Sequence, residues 1–356
     1  MKIVHKAILR ELAQLFLLSL VSLNFILMMD RVMRMSRLLS GVGASLSDMV
    51  KIILCLQPQL MILTIPMSLL LATLLTYGRL NADSELVILR TAGMSFRGIS
   101  APVFIFGFFC FLGGLLVSFW LGPLGAVEMR ETISNIVRQK APMAIEAGIF
   151  NTAFKDVVIL VRDKPSSGSM KGIFIYDSRN KKEPKVLVAK EGEISADKEN
   201  NLSLHMKNGY MHIARDEGST EIFFDGYNLS LNVAMESPSR KTGEMTPTEL
   251  LDAASREKDP NEAILYRLEF HRRLSLPSLC LLLIFLGPPL SLLSGKAGKL
   301  GGLIIGMGVF TVFYVMLVYG ENMARAGHLP HYAGAWTPVA VIGAASLIAF
   351  KKAGSR

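Results

Sequence analysis

The chain has 356 residues, 51% hydrophobic and 19% charged, with a formal net charge of +9 and a mean hydropathy of +0.40. That apolar excess, with its charge gathered into clusters, excludes an ordinary soluble enzyme and describes a membrane protein carrying one water-exposed domain. The basic balance suits anionic lipid; without basic runs interleaved with aromatics it gives no footprint for nucleic acid. The three cysteines, Cys55, Cys110 and Cys280, lie inside apolar runs, so the water-exposed part has none from which to build a disulfide.

Lys2, Lys6 and Arg10 precede an apolar run from Leu12 to Met29. Asp30-Arg-Val-Met-Arg34 stands where a signal peptide would carry small residues for cleavage, so the run reads as an uncleaved first span. Arg31, Arg34 and Arg37 follow at steps of three and stay near one helix face at headgroup level. They either snorkel, as long basic side chains do at helix ends, or grip an anionic headgroup for on the order of 1 kcal/mol each.

The second span, Ile52–Tyr77, holds Pro58 and Pro66 and should be kinked. The third runs from Ala101 to Leu121. Between them Gly78–Ser95 is polar and reads as a short helix over about 81–93, capped by Asn81 or Asp83 and ended by Gly93. Leu86, Ile88 and Leu89 give it apolar surface; Asp83, Glu85 and Arg90 give it charge. It is either a solvated loop or a segment built to dock into a groove on a soluble partner.

From Gly122 to about Arg240 the pattern becomes short alternating segments separated by turn residues, which predicts an all-β unit: a sandwich, a jelly roll or a relative of these. In Val157–Val161 both rows are apolar, so alternation alone does not say which faces inward. Thr246-Pro-Thr-Glu249 is a capping box. A second helix from about Pro260 has no break before Arg273 and should run on into the fourth span, Leu274–Leu293. A basic loop at 294–299 leads to the fifth span, whose Gly298, Gly302 and Gly306 let another helix, internal or external, approach closely. The sixth span is Tyr332–Phe350.

The fold class is therefore a bundle of six transmembrane helices with an inserted all-β, jelly-roll-like domain. Its divisions are 1–121 (three spans and the short helix), 122–245 (the β domain), 246–273 (connecting helices) and 274–356 (three spans). With both termini inside, the inner segments carry eleven Lys and Arg residues against five on the short outer loops, which favours that orientation. The β domain then lies outside and Gly78–Ser95 inside. No nucleotide-binding loop, metal-ligand spacing or nucleophile turn is present, so neither enzyme activity, cofactor nor metal is expected.

Several stretches together resemble the LptF/LptG permease family of the lipopolysaccharide exporter. They are Gly78-Arg-Leu with Asp83-Ser-Glu-Leu-Val-Ile-Leu-Arg90-Thr-Ala-Gly-Met-Ser95, the opening with Arg10-Glu11 and Asp30-Arg31-Val-Met-Arg34, Trp120-Leu-Gly-Pro123, Glu269-Phe-His-Arg-Arg-Leu274, and the Gly327-to-Pro338 ending. Trp-x-Gly-Pro after the third span looks closer to the LptF branch. The resemblance implies an inner-membrane permease that pairs with a second, LptG-like permease above a separate LptB-like ATPase dimer. It implies that lipopolysaccharide is extracted and passed to an LptC/LptA-like periplasmic bridge. It further implies a cytoplasmic coupling helix, here Asp83, Ser84, Glu85, Leu86, Leu89 and Arg90, with Glu85 in the ATPase groove. Arg31 and Arg34 would face lipid A phosphates, and spans one and five would form lateral gates; Arg37 has no firm counterpart in the family and joins the phosphate-facing set by its spacing alone. Two rival readings share the sequence: a permease that transmits force without lipid passage, and a non-transport envelope scaffold.

Overall fold

The structure is a computed structural model and describes residues 2–40, 45–144, 147–154, 156–165, 168–180, 183–196, 202–215, 218–231, 242–293 and 298–355. Residues 294–297 of the basic loop, with Lys296, lie outside that set. Helices α1 (Lys2–Ser40), α2 (Leu46–Ala82), α3 (Glu85–Thr91), α4 (Phe96–Leu116) and α5 (Gly122–Ala144) lead to six strands. The strands are β1 (Phe150–Phe154), β2 (Val157–Asp163), β3 (Ser169–Asp177), β4 (Lys185–Ala196), β5 (Leu202–Arg215) and β6 (Gly218–Leu231). A short 3-10 turn and α6 (Pro247–Arg256), α7 (Pro260–Leu293), α8 (Gly298–Arg325) and α9 (His331–Ser355) complete the chain. Among the described residues six helical segments are long and apolar enough to cross a membrane.

The chain forms two compact units. The first comprises Met1–Met29, Cys55–Val127 and Arg240–Arg356; the second comprises Asp30–Leu54 and Glu128–Ser239.

In the first unit α2 and α7 are the most enclosed spans, because apolar residues cover more than one face of each. Leu69, Tyr77 and Leu80 of α2 pack with Ile8 and Leu12 of α1, Ile99 and Val103 of α4, and Cys280 and Ile284 of α7. Leu70 and Leu74 of α2 join Leu279 and Leu283 of α7, Phe313 of α8 and Ile342 of α9 in a second cluster. The Tyr77 hydroxyl donates to the carbonyl of Ile99 at 2.7 Å, which satisfies a phenol that would otherwise be buried alone. Helices α8 and α9 approach closely at Gly320 and Gly334: a Cβ on Gly320 would stand 2.6 Å from the Gly334 carbonyl oxygen. By contrast α1 and α8 leave most of their apolar residues uncovered, Phe25, Ile26, Ile304 and Val315 among them.

The third span does not end at Leu121. A single π turn, Val117–Leu121, carries the helix on into α5. It stands just before Pro123, whose missing N–H breaks the regular ladder. Thus 122–144, which the sequence reading assigned to the β insert, is helical, and the first strand begins at Phe150. The helix from Pro260 is continuous with the fourth span as expected: α7 runs unbroken through Pro277, Pro288 and Pro289. The capping box at Thr246 and Glu249 is closed in both directions.

In the second unit the six strands form one antiparallel sheet in sequence order, a meander among the described residues, without the strand exchange of a jelly roll. The row Val157, Ile159 and Val161 is the buried one. It packs with Ile173, Ile175, Leu187 and Leu204, and with Ile52 at the start of α2 and Ile136 on α5. The opposite face carries Phe150, Leu160, Phe174, Val188, Tyr210 and Phe223 in cross-strand register, one on each strand. At the β3–β4 turn Arg179 grips Asp177 through Nε and Nη2, at 2.9 and 2.6 Å, and donates through Nη1 to the Ser230 carbonyl. Burial alone would raise the Asp177 carboxyl; the Arg179 side chain and backbone N–H overcome it and hold the group below the usual carboxylate range.

Candidate functional site

The segment between the second and third spans divides into two pieces. Helix α2 extends to Ala82, so Asn81 and Asp83 do not cap the short helix; Ser84 precedes it in a left-handed conformation (φ 59°) with no side-chain cap. Gly93 ends it at φ +89°, where its N–H donates to the Arg90 carbonyl and the next N–H, of Met94, reaches back to Leu89.

The residues picked from the sequence fall on opposite sides of α3. Leu86 is 2% exposed and belongs to the chain's own apolar cluster, with Leu89 packed beside it. Arg90 lies over the Phe96 ring at 5.6 Å and donates to the Ala353 carbonyl of α9. These three positions share one helical face at spacings of three and four, and that face anchors α3 to its own chain. The outward surface is Asp83, Ser84 and Glu85 with Val87 (55% exposed) and Ile88 (63%). Val87 is therefore an accessible position that the sequence reading did not select.

Two further residues went unselected. Arg79, on the last turn of α2, donates from Nε and Nη2 to both oxygens of Glu11 on α1, at 2.6 and 2.7 Å. Its Nη1 donates to Glu85 at 2.8 Å and to Asp83 at 3.2 Å. A signal was present: a carboxylate directly ahead of an apolar span calls for a partner, because an ionised group near lipid is costly unpaired.

A second arginine holds another polar junction of the first unit. Arg273 is nearly fully buried on α7. Its Nη1 donates to the Met245 carbonyl at 2.5 Å, its Nη2 to those of Thr242 and Gly243 at 2.9 and 3.0 Å, and its Nε to Glu269 at 3.1 Å. The Ser118 hydroxyl, within the π turn, donates to the backbone carbonyl of Arg273 at 2.9 Å.

Six spans, an all-β insert between the third and fourth, and a short polar-faced helix between the second and third together make a specific plan. Residues 6–352 match the family model described as lipopolysaccharide export system permease LptF/LptG. The chain belongs to the LptF/LptG permease family. It is similar to the lipopolysaccharide export system permease protein LptF of Escherichia coli K12, at 21% identity over 79% of this chain and 76% of that one. It is also similar to an uncharacterized protein of Rickettsia prowazekii, at 22% identity over 69% and 67% of the two chains. The permease is thus a multi-pass inner-membrane protein.

Of the permease's candidate lipid-binding residues, Arg31 is exposed on α1. Arg34 and Arg37 are on the same helix, with side chains outside the described residues. Gly302 and Gly306 of α8 face α2: a Cβ on Gly302 would lie 3.1 Å from the Leu74 carbonyl oxygen, and one on Gly306 would lie 2.8 Å from the end of Leu71. Gly298 opens α8 one turn earlier.

Proposed function

We propose that this permease is one of two paired permeases of a lipopolysaccharide exporter driven by a separate cytoplasmic ATPase dimer. Both termini and α3 are cytoplasmic, and the β domain is periplasmic. The observation that carries the reading is the outward surface of α3, where two apolar side chains stand beside two carboxylates on a helix pinned by its other face. Such a helix passes on a push from a partner's groove without having to fold first.

The pairing is supported by α1 and α8, the two spans with the most uncovered apolar surface. They form the lateral gates against the second permease, and Gly302 against the Leu74 carbonyl and Gly306 against the ends of Leu71 and Leu74 let α8 slide closely along α2. Arg31, Arg34 and Arg37 draw lipid A phosphates to the outer end of α1. Acyl chains follow the apolar row from Phe150 to Phe223 across the sheet toward a periplasmic bridge protein.

Co-purification of the tagged chain from native membranes tests this. A second six-span permease and a soluble ATPase should accompany the wild type, and Ile88→Glu or Glu85→Arg should lose the ATPase. Absence of any ATPase from the gently extracted wild type overturns the reading. Arg31→Glu combined with Arg34→Glu tests lipid passage against bare force transmission: normal outer-membrane assembly in that strain sinks the phosphate-gripping role.

A further inference from the structure

Arg79 touches three separate pieces of chain. Glu11 is on α1, Asp83 lies in the turn after α2, and Glu85 opens α3. The contacts are unequal. Glu11 offers both oxygens to the guanidinium fork, the strong bidentate arrangement, and only about a quarter of its side chain is exposed. Asp83 and Glu85 offer one oxygen each and are about half exposed.

One guanidinium among three carboxylates leaves two negative charges uncompensated within the group, and the exposed pair is where an incoming cation meets them. A basic side chain from a docking partner therefore competes for Asp83 and Glu85 well before it competes for Glu11. Around Glu11 the inner end of α1 packs into the apolar cluster through Ile8 and Leu12, both buried. Farther along, its polar ties to α2 include Asn24 to Thr64 at 3.0 Å and Gln57 to the Met28 sulfur.

From this geometry we infer that Arg79 is a positioning residue that couples α3 to α1: it keeps Glu11 and the Asp83 turn that leads into α3 while it gives up Glu85 to a basic group of the docking partner. The inference rests on the proposed role of α3. A movement forced on α3 then passes through the Asp83 turn to Arg79 and so to Glu11 on α1, the least enclosed of the six spans.

The test uses the complex that co-purifies with the full chain, reconstituted into lipopolysaccharide-containing vesicles. The readout is lipopolysaccharide moved per ATP hydrolysed. Glu11→Gln should keep the ATPase bound and hydrolysis within about twofold of wild type, while lipid moved per ATP falls about tenfold. In a cysteine-free background, Glu11→Cys with Arg79→Cys should show the same loss, and a short bismaleimide between the two thiols should restore the ratio. An unchanged ratio in Glu11→Gln overturns the inference. So does loss of the ATPase from that variant, which would make the cluster an assembly contact. So does a low ratio that the tether fails to restore, because a mechanical link should be replaceable by a covalent one. If no ATPase accompanies the wild type, the reading of α3 fails first and this inference falls with it.

Discussion

Arg79 and Arg273 do opposite things with the same side chain. Arg273 is sealed from solvent and spends its donors on three backbone carbonyls and one carboxylate, all in the first unit. Arg79 keeps contact with water and holds three carboxylates. A carbonyl cannot be protonated, screened away or outbid by an arriving cation at the cost of a small rearrangement. A half-exposed carboxylate can be all three. Arg273 makes a fixed joint, locking Thr242–Met245 onto α7, whereas Arg79 makes an exchangeable one. Arginine chemistry alone does not separate them; the identity and burial of the acceptors do.

The comparison breaks most visibly at Arg273. Arg273→Ala leaves three buried carbonyls without this donor and Glu269 with the longer pairing to Arg272 at 3.6 Å, and should cost about 3–5 kcal/mol. The expected outcome is a large fall in thermal stability of the detergent-purified chain. Arg273→Lys should recover little of it, because one ammonium cannot span four acceptors. Glu269→Gln is a milder cut, expected at about 1–2 kcal/mol, since the amide oxygen still accepts from Nε.

Arg79→Ala should change thermal stability by less than about 1 kcal/mol, with the difference shrinking further in high salt. A stability loss as large as that of Arg273→Ala would erase the distinction between fixed and exchangeable joints.

Arg179 sharpens the contrast from the second unit, because it combines both kinds of acceptor: the Asp177 carboxylate and the Ser230 carbonyl. Asp177 is held below its ordinary range in the folded chain, so its contribution to stability is present above the unfolded-state value of about 4 and is lost as pH falls through the lower folded value. The sheet of Arg179→Ala should therefore melt earlier than wild type near neutral pH, and the gap between the two should close on acidification below about pH 4. The smallest expected change is for Ile88→Asp: melting within about 0.5 kcal/mol of wild type, since the side chain already faces outward. A clear destabilisation there would mean that the outward face of α3 is already covered.

Length and hydropathy made the six spans readable, and the absence of any breaker between Pro260 and Arg273 made α7 readable as one rod. What stayed hidden were choices between two equally apolar faces. In Glu85–Thr91, Leu86 with Leu89 and Val87 with Ile88 are interchangeable by pattern, and only the neighbouring spans decide which pair turns inward. The same ambiguity in β2 was resolved by Ile52 and Ile136, far away in sequence. The helical character of 122–144 was concealed by Gly122-Pro123 and by modest hydropathy, although Met129, Ile133 and Ile136 stand four and three apart, the spacing of one helical face. Ser84 could not be foreseen at the helix start, because a left-handed serine is a product of the turn it closes.

The unbroken α7 has a consequence for where the permease can bend. Thirty-four helical residues make a rod about 51 Å long, against a hydrocarbon layer of about 30 Å. Pro277, Pro288 and Pro289 all fall in its apolar part, and Arg273 clamps the boundary between the two parts. Flexure is thereby confined to the greasy segment while the polar segment stays stiff. The rod works like a mast stepped in a compliant deck: a small tilt below the clamp becomes a larger sweep at the far end, with no hinge needed in water.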